Sequence, residues 1–164
     1  MNIQELFFLG MDREIPKLLS PPEGGRLIDV GSSGTKKTLP ESLGYPEWHW
    51  PVHPLPAGRA EVAAFHAFHF FEHLTGAEAI DLLRAMERCL MPGGIINIVV
   101  PYYNSSMQAQ DLTHKSVWCE GTIPTLMNNS YYDPAGQWYL KLHTQFIMGI
   151  AERNLALFIQ LTKD

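Results

Sequence analysis

The stretch from Thr75 to Val100 constrains the fold more than any other part of this 164-residue chain. It opens with a capping box, in which the Thr75 hydroxyl and the Glu78 carboxylate each satisfy a backbone N–H at a helix start. Apolar residues then recur at helical spacing, and Pro92-Gly93-Gly94 is expected to stop the helix. The β-branched run Ile95–Val100 is typical of a strand covered on both faces in a parallel sheet. A strand, this helix and a parallel strand form a βαβ unit, so an α/β fold is predicted.

Other elements are predicted on both sides of this unit. They are a helix over Ile3–Leu19 that Pro16 kinks or divides, strands over Arg26–Val30 and Glu61–Phe71, and a terminal hairpin of Leu142–Ile150 with Leu155–Thr162. The segment from Tyr102 to Asn129 is polar and loop-like, and a loop of this length is usually functional or disordered. We expect it to cover a ligand pocket.

Composition narrows the class of protein. Residues 1–164 are the length of a single domain, and 46% of them are apolar. The formal charge of −5 provides no strong nucleic-acid signature. No run of residues has the length and apolarity of a membrane span or a signal peptide, so a cytoplasmic protein with reduced Cys89 and Cys119 is expected. Association into a homo-oligomer is compatible with these features.

Ligands of open α/β sheets bind beyond the carboxyl ends of the strands, which makes three segments the candidates for a site. They are Gly31, Ser32, Ser33 and Gly34 after the first strand, His69, Phe70, Glu72 and His73 after the second, and Tyr102, Tyr103 and Asn104 after the third. Small residues in the first segment allow a ligand to approach backbone N–H groups. A tight turn without a ligand has the same composition, so this signal alone is weak.

Several motifs in a fixed order give the chain a family resemblance. Leu27-Ile28-Asp29-Val30-Gly31, Glu72-His73-Leu74, Pro92-Gly93-Gly94 and Ile98-Val99-Val100-Pro101 resemble segments of the class I S-adenosylmethionine-dependent methyltransferases. Asp111-Leu112-Thr113-His114 is similar to a segment of small methyltransferase-like proteins, many of them encoded by tailed phages. The resemblance implies a Rossmann-like, mostly parallel sheet with a C-terminal antiparallel hairpin.

The resemblance also implies a cofactor and roles for individual residues. The cofactor would be S-adenosylmethionine, and the methyl acceptor stays open. The cofactor-binding residues it implies are Asp29, Gly31, Ser32, Ser33, His49 and Phe70, and those beside the reacting groups are His69, Glu72, Tyr102 and His114. Asp29 would accept from the ammonium of the methionine half. Phe70 would contact the sulfonium by cation–π attraction.

The chain departs from the family pattern at two places. His49 stands where the family has an acid that bridges both ribose hydroxyls, and an imidazole cannot accept both protons as a carboxylate does. Glu47 replaces it if the register slips. The segment from Trp50 to Glu61 is too short for an ordinary strand and helix, which predicts a sheet shortened in its middle. Two hypotheses follow: a minimal methyltransferase, or a non-catalytic interaction or assembly module that has lost cofactor binding.

The histidines raise a second question, whether the chain binds a metal. His66, His69 and His73 have the spacing of a helical face, but a strand would place His66 and His69 on opposite faces. No metal site is therefore predicted there. His114 lies in a polar segment after the last core strand, where it either serves the site or makes a hydrogen bond that stabilises the loop.

Overall fold

The computed structural model of the protein describes residues 16–31, 47–49, 57–128, 137–150 and 153–164. Its strands form one sheet with the order β2-β1-β3-β4-β6-β5. The strands are β1 (Arg26–Gly31), β2 (Glu47–His49), β3 (Val62–Phe68), β4 (Leu90–Pro101), β5 (Leu140–Ile150) and β6 (Arg153–Lys163). The pairs β1–β2, β1–β3 and β3–β4 are parallel, whereas β4–β6 and β5–β6 are antiparallel. The sheet is mixed, as the sequence predicted.

Helices are few in the described residues. They are α1 (Gly76–Cys89), α2 (Ser106–Ala109) and α3 (Thr122–Asn128), with a single 3-10 turn at Phe71–His73. The predicted capping box of α1 is confirmed: Glu78 N donates to Thr75 Oγ1 over 3.3 Å, and Thr75 N donates to Glu78 Oε2 over 2.7 Å. Within the part of the chain that the structure describes, no helix is both long and apolar enough to cross a membrane.

Two predicted helix boundaries are wrong. Residues 16–19 are not helical, because the side chain of Gln160 binds the backbone of Leu19, accepting from its N–H over 2.8 Å and donating to its carbonyl over 3.2 Å. The rest of that predicted helix lies outside the described residues. The second wrong boundary is the end of α1. This helix stops at Cys89, before the predicted stop at Pro92-Gly93-Gly94, and those three residues belong to β4. A register shift against β3 accommodates these residues, with Gly93 at φ +74°.

The second predicted strand is shorter than expected. β3 ends at Phe68, because His69 adopts the left-handed conformation at φ +53°, and the 3-10 turn follows. The terminal hairpin has longer strands than predicted and pairs over almost its whole length, although residues 151–152 at its tip lie outside the description. The segments on both sides of β2 lie outside it too, so the predicted shortening of the middle stays a prediction.

The sheet buries a different apolar cluster on each face. Alternate β4 residues, Ile96, Ile98 and Val100, join the large cluster that contains α1, while Val99 joins a smaller one with Leu18 and Phe158. Alternation along a strand produces this division. A buried polar pair links the neighbouring strands β4 and β6, where Gln160 Nε2 donates to Asn97 Oδ1 over 2.9 Å.

A buried carboxylate ties α1 to the start of β5. Glu87 is 6% exposed, and its Oε1 accepts from Tyr139 N at 2.6 Å and Leu140 N at 3.1 Å. Its Oε2 accepts from Arg84 Nη1 at 2.9 Å, and that guanidinium lies 3.5 Å from the ring centroid of Trp138. The carboxylate thus replaces the strand partners that the edge of β5 lacks at this point.

Candidate functional site

The carboxyl ends of the parallel strands β1, β3 and β4 meet at one edge of the sheet, where the predicted site residues were expected. Asp29 is buried, 2% exposed, near the end of β1, in register with Glu47 of β2 and His66 of β3. Gly31 is in register with His49. Ser32, Ser33 and the His49 side chain lie outside the description, so their cofactor contacts stay predictions.

The turn after β3 has an unusual backbone. A non-glycine residue at positive φ costs roughly 1–2 kcal/mol, and His69 is such a residue. Its N–H donates to Val99 O of β4 over 2.8 Å, which fixes the point at which the chain leaves the sheet. The turn that follows brings the Glu72 side chain against the His69 imidazole, and His69 Nδ1 lies 3.2 Å from Glu72 Oε1.

Glu72 and His69 differ sharply in exposure. The Glu72 side chain is 1% exposed, and that of His69 is 45% exposed. A carboxylate oxygen accepts only, so His69 Nδ1 carries the proton in this hydrogen bond, and the lone pair of its Nε2 is available. The second carboxylate oxygen, Glu72 Oε2, is buried and has no hydrogen-bond partner among the described residues.

The loop that follows β4 packs on this turn. The backbone N–H groups of Lys115 and Ser116 both donate to the Glu72 carbonyl, over 2.7 and 3.1 Å. The Ser116 hydroxyl donates to Phe71 O over 3.0 Å and accepts from Trp118 Nε1 over 2.9 Å. Segments about forty residues apart in sequence are thereby held together at the edge of the sheet.

A chain of polar contacts continues from this loop. The hydroxyl of Thr113 donates to Asp111 Oδ1 over 2.7 Å and lies 3.0 Å from His73 Nδ1. Backbone and side-chain hydrogen bonds from Thr113 lower the pKa of Asp111. The His114 side chain is 6% exposed, its Nδ1 lies 3.1 Å from Gln108 O, and its Nε2 lies 3.7 Å from Asp111 Oδ2. The His73 and His114 rings meet edge to face with centroids 4.9 Å apart.

Three of these side chains form a group that could hold a metal. Glu72, His73 and His114 each offer one ligand atom, and these atoms lie within 4.8 Å of one another. This group differs from His66, His69 and His73, the three histidines whose spacing in the sequence is that of a helical face. Periodicity could not reveal it, because His114 arrives from a distant loop. The one available signal was that Glu72-His73 and the Asp111–His114 segment both follow strand ends.

Two other predicted residues lie in more enclosed surroundings. Tyr102 is buried and its hydroxyl donates to both oxygens of Glu120, at 3.0 and 2.9 Å. Burial, together with this carboxylate, raises the pKa of Tyr102 to about 12, which does not favour a base at neutral pH. Phe70 is 4% exposed and packs against Phe71. The predicted roles of Tyr102 and Phe70 toward a cofactor stay predictions.

The structure also contains an apolar cavity of about 460 Å³ between α1 and the segment around α3. Ile80, Val117, Trp118 and Leu126 are among its lining residues, and neither Asp29 nor Glu72 is one of them. It is therefore separate from the predicted cofactor residues.

Comparison with solved structures shows the fold. A geranyl diphosphate methyltransferase solved with S-adenosylmethionine is similar at TM-score 0.55 and 11% identity, covering 86% of this chain and 79% of its own. An S-adenosylmethionine-dependent methyltransferase from Mesorhizobium loti is similar at TM-score 0.54 and 13% identity, and the match covers 87% of this chain and 93% of that protein. Another such methyltransferase, from Methanosarcina mazei, is similar at TM-score 0.52 and 10% identity, and the match covers 73% of this chain and 67% of that protein. No family model and no curated protein matches the sequence. The chain has the Rossmann-like fold of the S-adenosylmethionine-dependent methyltransferases.

Proposed function

We propose that this chain transfers a methyl group from S-adenosylmethionine to an acceptor held at the carboxyl edge of β1, β3 and β4. The observation that carries the proposal is the buried carboxylate of Asp29 at the end of β1, within a fold otherwise found in methyltransferases. The amino-acid end of the cofactor presents an ammonium, and a buried carboxylate is the group that suits it. The small residues of the following turn agree with close approach of a ligand.

The cofactor supplies an electrophilic methyl group, and the protein supplies position and a route for a proton. Direct displacement depends mainly on holding donor and acceptor in line, so the rigid edge of the sheet is the main contribution. An acceptor that carries a hydroxyl or amine must also lose a proton. We assign that proton to His69 Nε2, because Nδ1 is occupied by the Glu72 carboxylate and the exposed side chain is within reach of a substrate.

Glu72 then has a positioning role. Its carboxylate fixes the tautomer and the orientation of the His69 ring and stabilises the imidazolium that forms when the proton arrives. Two N–H groups from the loop hold the backbone of Glu72, so the loop from Lys115 to Ser116 contributes to the same geometry. The family resemblance implies a place for His114 beside the reacting groups. Its role differs from the positioning role of Glu72, because the His114 ring contacts Asp111 and Gln108 rather than His69.

Calorimetric titration with S-adenosylmethionine and S-adenosylhomocysteine tests the proposal. Stoichiometric binding is expected, and Asp29→Ala should weaken it by about 1.5–3 kcal/mol, the range of a hydrogen bond to a charged group. Asp81→Ala, which changes a carboxylate on the exposed face of α1, is the control and should bind as the parent does. Circular dichroism of each variant verifies folding.

Binding should also slow amide hydrogen exchange in residues 102–118, because a loop that closes over a ligand loses its opening fluctuations. If the folded parent binds neither ligand, the proposal is wrong and the chain is a non-catalytic module with a methyltransferase fold. If Asp29→Ala binds as tightly as the parent, the cofactor site has been assigned to the wrong carboxylate.

A further inference from the structure

We propose that Glu72, His73 and His114 form a binding site for a divalent transition metal of the zinc class. The proposal does not depend on the methyltransferase assignment, because it rests on the contacts of these three side chains. Their ligand atoms lie within 4.8 Å of one another. In a tetrahedral zinc site with bonds of 2.0–2.2 Å the ligand atoms are about 3.3–3.6 Å apart. Small side-chain rotations bring the three atoms to that separation.

The hydrogen bonds of His114 prepare its ring to bind a metal. Its Nδ1 lies 3.1 Å from the carbonyl oxygen of Gln108, and a carbonyl accepts only. Nδ1 therefore carries the proton, and the neutral ring keeps its lone pair on Nε2. Metal-binding histidines commonly donate their other N–H to a backbone carbonyl in this manner.

A similar argument applies to His73. The single proton of the Thr113 hydroxyl is donated to Asp111 Oδ1 over 2.7 Å, so its oxygen can only accept from His73 Nδ1, 3.0 Å away. His73 Nδ1 then carries the proton, and Nε2 keeps the lone pair. Asp111, Thr113 and His73 form a relay in which a carboxylate orients a ring through one hydroxyl, an arrangement typical of the partners of metal ligands.

Glu72 supplies a third ligand and an independent indication of a cation. One carboxylate oxygen receives the hydrogen bond from His69 Nδ1, whereas Oε2 is buried and has no partner among the described residues. An unpaired oxygen of a carboxylate that is 1% exposed is energetically costly. A bound cation would satisfy it and would neutralise the carboxylate.

The chemistry of these ligands selects the class of metal. Two imidazole nitrogens and one carboxylate oxygen suit zinc and its first-row neighbours, whereas Mg²⁺ and Ca²⁺ prefer oxygen ligands throughout. Three protein ligands leave a fourth position for water or a substrate atom, as in catalytic zinc sites.

Titration of the chelator-treated full chain with Zn²⁺, without S-adenosylmethionine, tests the site. One equivalent should bind, Mg²⁺ at the same concentration should not compete, and Co²⁺ should produce the visible absorption of a tetrahedral site. His73→Gln, His114→Gln and Glu72→Gln should each weaken Zn²⁺ binding by more than tenfold. Thr113→Val changes no ligand but removes the hydroxyl that joins Asp111 to His73, and it should weaken Zn²⁺ binding about 10–100-fold.

Two variants serve as matched controls. His143→Gln alters an exposed histidine on β5 whose ring nitrogen lies 3.3 Å from the carbonyl oxygen of Lys17, and Cys119→Ser removes a half-buried thiol that follows β4 in the chain. Both should bind Zn²⁺ as the parent does. If a buried-site variant fails to fold by circular dichroism, His73→Gln at the half-buried edge decides the question.

The proposal is overturned if the parent binds no Zn²⁺, which would make the group a hydrogen-bonded cluster, or if the His73 and His114 variants bind it with parental affinity. These results are separate from the cofactor titration. A parent that binds Zn²⁺ but no S-adenosylmethionine supports the metal site while refuting the methyltransferase proposal.

Discussion

Removal of the buried Glu87 carboxylate is expected to have a large effect on stability, because three hydrogen bonds converge on it. Its Oε1 accepts from Tyr139 N and Leu140 N, and its Oε2 from Arg84. Hydrogen bonds to a charged group contribute about 1.5–3 kcal/mol each but are not additive, and breaking a buried ion pair costs about 3–5 kcal/mol. We therefore expect Glu87→Ala to lower the free energy of unfolding by about 4 kcal/mol.

The amide variant separates these contributions. Glu87→Gln retains an oxygen for the N–H groups of Tyr139 and Leu140 but places an amide N–H₂ beside Arg84, so a loss of about 2 kcal/mol is expected. Urea unfolding followed by circular dichroism measures both variants. A domain of this size loses about 2–4 °C in Tm per kcal/mol, so Glu87→Ala should melt roughly 8–16 °C lower.

Glu78→Ala is the matched control on the same helix. It removes an exposed carboxylate of the capping box, and a loss of only about 1 kcal/mol is expected. If Glu87→Ala destabilises the protein no more than Glu78→Ala does, the carboxylate is not what anchors the start of β5, and water satisfies its N–H groups instead.

Three further predictions concern buried or strained positions. Burial lowers the pKa of His66 from 6.5 to about 3. Between about pH 3 and pH 6.5 the unfolded chain therefore binds a proton at His66 that the folded chain does not. The free energy of unfolding should fall as the pH falls through this range, by up to about 1.4 kcal/mol per pH unit. Urea titrations at about pH 7 and 4.5 measure this dependence, and His66→Leu should remove it. Gly25→Ala should destabilise by about 1–3 kcal/mol, because its Cβ would lie 2.8 Å from Ala63 N. Gly76→Ala, with open space around the new Cβ, should stabilise by about 0.5–1 kcal/mol on the same assay, and equal effects would contradict the steric argument. His69→Gly relieves about 1–2 kcal/mol of backbone strain but removes a hydrogen bond to the buried Glu72 carboxylate worth about 1.5–3 kcal/mol, so thermal unfolding should show a net loss of about 1 kcal/mol; a gain in stability would mean that the strain outweighs the hydrogen bond.

The sequence predicted the parts of the fold that local patterns determine. The capping box at Thr75 and the β-branched run before Pro101 have one good structural solution each, and both were confirmed. The boundaries that failed depend on distant partners. Leu19 is held in a non-helical conformation by Gln160, which lies 141 residues away, and no periodicity near Leu19 contains that information.

Prediction of the candidate site was limited in the same way. The strand ends identified Glu72 and His114 separately, since side chains that follow parallel strands collect at one edge. Their proximity arises from backbone hydrogen bonds between Lys115, Ser116 and the Glu72 carbonyl, which involve no side chain that a motif could record. The partner of Tyr102 was unpredictable for a different reason, because Glu120 reaches it from within an irregular loop.

The conformation of His69 connects stability with function. Glycine could occupy this position without the roughly 1–2 kcal/mol that a positive φ costs other residues, and a side chain that is 45% exposed recovers little of that cost through burial. The strain is compensated in this turn by the hydrogen bond from the His69 N–H to Val99 O, by the hydrogen bond to Glu72 and by whatever the imidazole binds. Residues in strained conformations at the end of a strand are often retained because they aim a reactive side chain. Here the left-handed turn directs the imidazole toward solvent at the edge where three strands end and keeps the carboxylate of Glu72 buried behind it. Because the Glu72 carboxylate orients His69 and also belongs to the group with His73 and His114, the proton acceptor and the proposed metal site share a single buried charge.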